Sequence, residues 1–242
     1  MRGSAKEKPL FEDGARPTDI QQGRSGDCWM LASLSAIART PAGREWLKAV
    51  ITDNHDGTYT VHFKNGEDVT VDDSSDILGR NASSGEDKWV LIIEKAFAKR
   101  HGGLESQYMH GNWPEEGLAD LGLVSDHKYV QHFQDQSELI SDADLRVLLK
   151  SGDPVVATAD LHRLHGLQWN NGYRPEEHNF KPQLHSFSVV DATGDNVTLR
   201  NPWGHNDHLK LDGVSLQNDG TFTISLSEFR RVFFRVDYAE LS

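Results

Sequence analysis

One cysteine stands among residues that could activate it as a nucleophile. Cys28 follows Gly26-Asp27 and begins an apolar run that ends before Thr40-Pro41. The run predicts a buried helix with Cys28 in its first turn, where unpaired backbone N–H groups favour a negative charge. Such a position, with a nearby protonated histidine, lowers a thiol pKa from about 8.5 to roughly 3.5–7.5. The local sequence fits a reactive thiol and a buried structural cysteine equally well.

A glutamine precedes this cysteine by six residues, in a loop that also contains glycine. The Gln22 amide and the Cys28 backbone N–H could donate hydrogen bonds to an oxyanion. One donor of that kind changes a rate by about 10²–10³-fold. The alternative is a solvated glutamine without a catalytic role.

A cysteine nucleophile needs a base, and the base needs a residue that orients it. The chain has twelve histidines, but His185 begins an apolar strand, and Asn201 follows the next strand before Pro202-Trp203-Gly204. Neighbouring antiparallel strands would let Asn201 accept from the imidazole N–H, with Trp203 shielding that bond from water. Taken alone, the pair is better explained as a hydrogen-bonded sheet histidine and a turn asparagine.

These residues need helices in the first half of the chain and strands in the second. Alternating apolar residues around Asn65-Gly66 predict a hairpin, and helical spacing from Trp89 predicts a helix that ends at Gly102-Gly103. Ser141 and Asp144 predict a capped helix that ends at Gly152. The predicted strands cover residues 155–159, 186–192, 197–200, 222–225 and 232–236. The pattern predicts an α+β protein with its two halves joined near residues 123–128.

Composition excludes several classes of function. The chain has 242 residues and a formal net charge of −12, without a basic block, so we expect no nucleic-acid partner. The chain has no apolar stretch of about 18 residues, so we expect no membrane-spanning helix. One cysteine excludes an intramolecular disulfide, and the polar N-terminus lacks a signal region, so we expect a cytoplasmic monomer or a delivered effector or toxin domain.

Several separated segments resemble the calpain family of cysteine proteases. Residues 22–32 read Gln-Gly-Arg-Ser-Gly-Asp-Cys-Trp-Met-Leu-Ala, where the family has Gln-Gly-x-x-Gly-Asp-Cys-Trp-Leu-Leu-Ala. Residues 185–189 resemble the family's base strand, and residues 200–204 resemble its orienting segment. Residues 93–99 resemble the helix that lies between the nucleophile and the base in sequence, and residues 219–222 and 227–229 resemble the closing strands. The order of the segments matches from about Phe11 to Tyr238.

The resemblance implies a papain-like fold of two lobes, a helical lobe of residues 1–125 and an antiparallel β lobe of residues 126–242. It implies a Cys28–His185–Asn201 triad, with Gln22 as oxyanion donor and Trp203 as shield, acting on protein or peptide substrates. Leu184 departs from the family, which has Gly before the base. The irregular loop of residues 162–184 precedes the base strand, and we expect it to act as a lid over the cleft.

The resemblance also implies calcium as a cofactor. A first site would use the Glu12 and Gly14 carbonyls with the Asp19 and Glu105 carboxylates, an oxygen set that suits calcium. A second site matches less well. It would use Asp207 and Asp219, but Thr221 stands where the family has an acid and the segment after Trp203 is shortened.

Two rival functions remain at this stage. Another Cys–His acyl-transfer enzyme on the same fold, a deamidase or a transglutaminase-like enzyme, usually has Asp in the place of Asn201. An inactive binding module would lack one catalytic group, and none is missing from the sequence.

Overall fold

The computed structural model describes residues 9–74, 87–103, 106, 108–109, 111–130, 139–161, 184–207, 209, 214 and 216–241. Within these residues the chain combines helices with two antiparallel sheets, which confirms the predicted mixture of α and β structure. No helix in them is both long and apolar enough to cross a bilayer.

The first half of the chain packs around one almost entirely buried helix. Helix α1 spans Cys28–Ala38, the predicted bounds, and every residue after Cys28 is buried. Three further helices follow: α2 at Pro41–Ala49, α3 at Trp89–Arg100 and α4 at Pro114–Asp120. The sequence predicted α3, whereas α2 and α4 were not expected.

A small sheet closes this half. Strands β1 at Ile51–Asp53, β2 at Thr58–His62 and β3 at Asp68–Asp72 pair in that order. The predicted hairpin corresponds to β2 and β3, and β1 adds a strand that was not expected. The inward side chains of this small sheet join those of α1 and α3 in one apolar cluster, which includes Trp29, Phe63 and Phe97.

The second half forms a larger sheet in the order β4-β9-β5-β6-β7-β8. The strands are β4 at Val124–Tyr129, β5 at Val155–Asp160, β6 at Leu184–Thr193, β7 at Asn196–Arg200, β8 at Thr221–Ser225 and β9 at Phe233–Glu240. Helices α5 at Asp142–Ser151 and α6 at Leu226–Val232 contribute to a second apolar cluster with this sheet. Strand β5 is buried along its whole length, as expected for a central strand with both faces covered.

Small side chains let α1 approach the large sheet closely. Ala32 and Ala36 of α1 pack on Val156 of β5. The Ser35 and Ser188 hydroxyls join α1 to β6 at 2.9 Å. This contact fixes α1 against the strand that carries His185.

Two local predictions illustrate what the sequence could specify. The Ser141 side chain accepts from the Asp144 amide at 3.0 Å, and Gly152 adopts φ 95° at the end of α5, as predicted. The stretch predicted as a strand from residue 232 instead begins as α6, and β9 starts at Phe233. A division between residues 125 and 126 would fall inside β4, and the assignment of two lobes stays a prediction.

Candidate active site

A cleft of ≈ 470 Å³ lies where the first turn of α1 meets the beginning of β6. Cys28 and His185 both line it, together with Gln22 and Trp203. The structure therefore brings these four predicted residues to one cavity. The other lining residues are Gly26, Trp29, Gly111, Asn112, Trp113, Thr158, Leu161, Leu184 and Ser186.

Cys28 is the first residue of α1, as predicted, and it keeps part of its surface exposed. Burial of the thiol nevertheless raises its pKa to about 11, and the charge of Asp27 adds to this effect. The backbone amides of Ser186, Trp29 and Cys28 act in the opposite direction. Desolvation thus outweighs the start of the helix, and the expected low thiol pKa is absent from this state of the protein.

His185 is held by one hydrogen bond whose direction can be assigned. Its Nε2 lies 2.9 Å from Asn201 Oδ1. The same oxygen accepts from the Trp203 amide at 3.1 Å, while Asn201 Nδ2 donates to the His205 carbonyl. Because Oδ1 can only accept, Nε2 must carry a hydrogen, and the neutral imidazole then has its lone pair on Nδ1.

Aromatic rings enclose this imidazole. The Trp203 ring lies 4.4 Å from it at 35°, and the Phe187 ring lies 4.8 Å away at 88°. Only 3% of His185 is exposed. Burial lowers the pKa of His185 from its ordinary value of 6.5 to about 4, against the opposing effect of the Asn201 hydrogen bond. The imidazole is therefore neutral at pH 7.

Asn201 is fixed through its backbone as well. It follows β7 directly, its amide donates to the Gly220 carbonyl at 2.9 Å, and its carbonyl accepts from the Gly204 amide at 3.0 Å. A Cβ on Gly220 would lie 2.8 Å from the Asn201 carbonyl, so only glycine fits there. The strands β6 and β7 are antiparallel neighbours, as predicted for this pair.

Gln22 lines the cleft, but its amide is directed at its own loop. Its Nε2 donates to the Ser25 carbonyl at 2.8 Å and lies 3.4 Å from Asp27 Oδ1. The buried Gln22 Oε1 has no hydrogen-bond partner within the described part of the chain. An oxyanion role would therefore require the Gln22 amide to release a bond that it makes here.

Asp19, one of the two acids of the first predicted calcium site, lies in the lead-in to α1. Asp19 Oδ2 accepts from Trp89 Nε1 at 2.8 Å and from the Arg16 amide at 2.7 Å. Gly14 adopts φ 84°, and Glu105 lies outside the described residues. The sequence did not single out Asp87, which is buried nearby and accepts from the Glu12 amide at 2.8 Å.

Mutual repulsion affects this group of acids. Burial raises the pKa of Asp87, the Glu12 amide lowers it, and the charges of Asp19, Glu12 and Asp13 raise it further. A bound cation would relieve that repulsion. Across the described ranges, however, no group of three or more His, Cys, Asp or Glu side chains is placed to hold a metal.

The acids of the second predicted site make other contacts. Asp207 Oδ2 lies 3.3 Å from His205 Nδ1, and Asp219 Oδ1 accepts from the Thr221 amide at 2.9 Å. Because Glu105 lies outside the described residues, and Asp207 and Asp219 make these other contacts, calcium stays a prediction.

Comparison with known proteins places the chain in a family. The family profile described as calpain family cysteine protease matches residues 3–240. The chain belongs to the calpain family of cysteine proteases.

Its relatives are much longer proteins. It is similar to the calpain-type cysteine protease DEK1 of Arabidopsis thaliana, with 28% identity over 98% of this chain and 12% of that protein. It is also similar to the calpain-2 catalytic subunit of Mus musculus, with 27% identity over 95% of this chain and 36% of the relative. The calpain-1 catalytic subunit of Homo sapiens is 25% identical over the same shares. The chain thus spans about a third or less of these relatives, and their family membership does not by itself assign its catalytic residues.

Proposed function

We propose that this chain is a cysteine endopeptidase in which Cys28, His185 and Asn201 hydrolyse peptide bonds. One observation carries the proposal: His185, oriented by Asn201 at 2.9 Å, lines the same cleft as Cys28 at the start of α1. A nucleophile, a base and an orienting group are the parts that acyl transfer requires. Membership of a cysteine protease family supports protein or peptide substrates.

The reaction begins from a neutral pair. With the thiol pKa raised and the imidazole pKa lowered, Cys28 is a thiol and His185 a neutral base at pH 7. His185 Nδ1 takes the thiol proton while the sulfur attacks the scissile carbonyl carbon. The imidazolium then donates that proton to the leaving amine nitrogen as the C–N bond breaks. Water, deprotonated by His185, hydrolyses the thioester and restores Cys28.

The oxyanion of each tetrahedral intermediate needs donors on the nucleophile side of the cleft. The Cys28 backbone N–H lies in the first turn of α1, where no intrahelical acceptor is available to it. Gln22 supplies the second donor after its amide turns from the Ser25 carbonyl toward the substrate. The intermediate is a stronger acceptor than a neutral carbonyl, which favours that exchange.

We further propose that the chain works as a papain-like monomer of two lobes, residues 1–125 and 126–242, in the cytoplasm and without nucleic acid. The two apolar clusters, one around α1 and α3 and one on the large sheet, support the two-lobed arrangement. Calcium regulation stays a prediction, and no catalytic step above uses the ion. The predicted lid, residues 162–184, lies outside the described residues except for Leu184, which lines the cleft.

Cys28→Ala tests the proposal. The wild type should cleave casein, whereas the variant should not, because the chain has no second thiol. The substitution removes only one side-chain atom, so thermal melts should differ little and act as the control for folding. Fragment masses distinguish hydrolysis from amide transfer or deamidation. Equal casein cleavage by both proteins, or transfer products without cleavage, would contradict the proposal.

A further inference from the structure

A buried arginine joins the two sides of the cleft. Arg200 is the last residue of β7, immediately before Asn201, and only 3% of it is exposed. Its Nη2 donates to the Ile20 carbonyl at 2.9 Å, across 180 residues of sequence. Ile20 lies two residues before Gln22, so one guanidinium connects the segment of the orienting residue with the loop of the oxyanion donor.

A second bond and a close approach accompany this contact. The backbone N–H of Gln22 donates to the Pro202 carbonyl at 2.7 Å. Gly204 adopts φ 76°, and a Cβ there would lie 2.6 Å from Gln21 Cγ. Residues 20–22 therefore lie directly against residues 200–204, and this pair of segments is called the cleft joint below.

Burial of the Arg200 guanidinium costs free energy, because the group loses its hydration. Its Nε and Nη1 have no hydrogen-bond partner among the described residues. Burial lowers the pKa of Arg200 to about 10, and the charges of Asp219 and Asp19 only partly oppose this. The side chain is thus charged at pH 7 while most of its donors are unsatisfied. Apolar side chains of similar volume are often as stable as buried charges, so stability alone does not explain an arginine here.

We propose that Arg200 is a positioning residue, which holds the Gln22 loop in register with Asn201 through the cleft joint. The inference rests on the proposed function of the cleft. A planar guanidinium keeps a fixed donor direction, whereas a flexible side chain would let the loop shift. Small displacements of a catalytic donor cost large factors in rate.

Two substitutions and one control separate this role from general stability. Arg200→Met removes the donor but keeps apolar volume, and Arg200→Lys keeps a charge and a donor without the fork. Arg39→Met is the matched control, because Arg39 Nη2 also donates to backbone carbonyls, those of Leu149 and Asp153 at 3.1 Å, away from the cleft. Burial likewise lowers the pKa of Arg39.

The first measurement is amide hydrogen exchange at Gln22, whose N–H is bonded to the Pro202 carbonyl. Loss of one charge-assisted hydrogen bond should raise local opening by about tenfold or more in Arg200→Met, with a smaller increase in Arg200→Lys. Arg39→Met should leave Gln22 exchange at the wild-type level. Should Arg200→Met fail to fold, the selective increase in Arg200→Lys still decides the question.

The second measurement is the split between kcat and KM. Arg200→Met should lower kcat about tenfold with little change in KM, and it should cost little more in a Gln22→Ala background, because both act on the same donor. Unchanged Gln22 exchange in both Arg200 variants, or an equal change in Arg39→Met, would overturn the inference. A wild type without Cys28-dependent cleavage would refute the proposed function, while the exchange data would still decide whether Arg200 holds the cleft joint.

Discussion

The candidate catalytic side chains on the two sides of the cleft differ in how completely they are hydrogen-bonded. On the base side, His185 Nε2 and both polar atoms of the Asn201 amide make hydrogen bonds between 2.9 and 3.1 Å. On the nucleophile side, Gln22 Oε1 lacks a partner in the described residues, and Gln22 Nε2 is bonded to its own loop. The pKa of Cys28 is also raised rather than lowered.

This difference follows from the elements that carry each side. Paired strands and a tight turn fix the backbone around His185 and Asn201 before any ligand binds. The Gln22 loop instead satisfies its donor locally, since the acceptor that it would serve is absent until a substrate binds. We infer that the base side is preassembled and that substrate completes the nucleophile side. Catalytic hydrogen bonds often tighten in this way only in the complex.

The largest expected effect separates a histidine in the cleft from one outside it. His101 Nε2 lies 2.8 Å from Asp120 Oδ2, and its ring stacks on Tyr108 at 3.6 Å, so it resembles His185 in contacts but does not line the cleft. His185→Gln should lower kcat/KM about 10⁴-fold or more, because the base is lost. His101→Gln should change it by no more than a few fold. Similar losses in both variants would mean that His185 acts through stability alone.

A smaller effect tests whether the nucleophile side is completed by substrate. Gln22→Ala should lower kcat by about 10²–10³-fold with KM little changed, because the donor acts on the transition state. Arg24→Ala, an exposed change in the same loop, is the control and should leave both constants unaltered. An unchanged kcat in Gln22→Ala would remove the oxyanion assignment and leave the Cys28 N–H as the remaining donor.

Acid stability tests whether the base side is built around a neutral imidazole. His185 has its pKa lowered from 6.5 to about 4, so the unfolded chain takes up a proton between these values before the folded protein does. The contribution of His185 to the free energy of unfolding is therefore complete above about pH 6.5, and it falls by about 3 kcal/mol as the pH drops toward 4. His185→Gln, which cannot titrate, should lack this loss. Urea unfolding of both proteins at about pH 7 and about pH 4 measures the difference, and identical pH dependence would contradict the neutral base.

The sequence specified the elements better than the contacts between them. The apolar run from Cys28 and the caps around Ser141 and Gly152 are local signals, and they predicted α1 and the limits of α5 well. The short helix α4 and the edge strand β1 depend on tertiary packing, and no periodic pattern of apolar residues predicted them. The antiparallel pairing of β6 and β7 could be inferred from two short strands close in sequence.

The site shows the same limit. Residue types made Cys28, His185 and Asn201 candidates, because each type has a known chemical role, but it was the resemblance of several separated segments to the calpain family that joined them as one triad. The direction of the pKa shift of Cys28 could not be predicted, since it depends on how far the folded protein buries the thiol, and the opposing backbone hydrogen bond comes from Ser186, far away in sequence. The bond of Arg200 to Ile20 spans 180 residues and leaves no pattern in the sequence.

The smallest expected effect concerns calcium, and it tests whether the nucleophile side has a support of its own. Asp87 is raised in pKa by burial and by the charges of Asp19, Glu12 and Asp13, so a cation bound among these acids would remove repulsion. Calcium should then raise the melting temperature. At a hundredfold excess over Kd, the free energy of unfolding should increase by about 2.7 kcal/mol. Cleavage should rise with it, because Asp19 also holds Trp89 of α3 beside the lead-in to Gln22.

Two substitutions distinguish a bound ion from a general effect of salt. Asp19→Ala should abolish most of the calcium gain and should also lower stability in chelator, since the Trp89 indole loses its acceptor. Asp87→Asn keeps an acceptor for the Glu12 amide but removes a charge, so it should be more stable than the wild type in chelator and gain less from calcium. Magnesium at equal ionic strength is the control, because it demands near-ideal octahedral geometry and loses its waters reluctantly, whereas calcium accepts a flexible set of oxygens. An equal gain from both ions, or none from calcium, would mean that the acids of the lead-in repel one another without forming a site, and that the nucleophile side depends on the cleft joint alone.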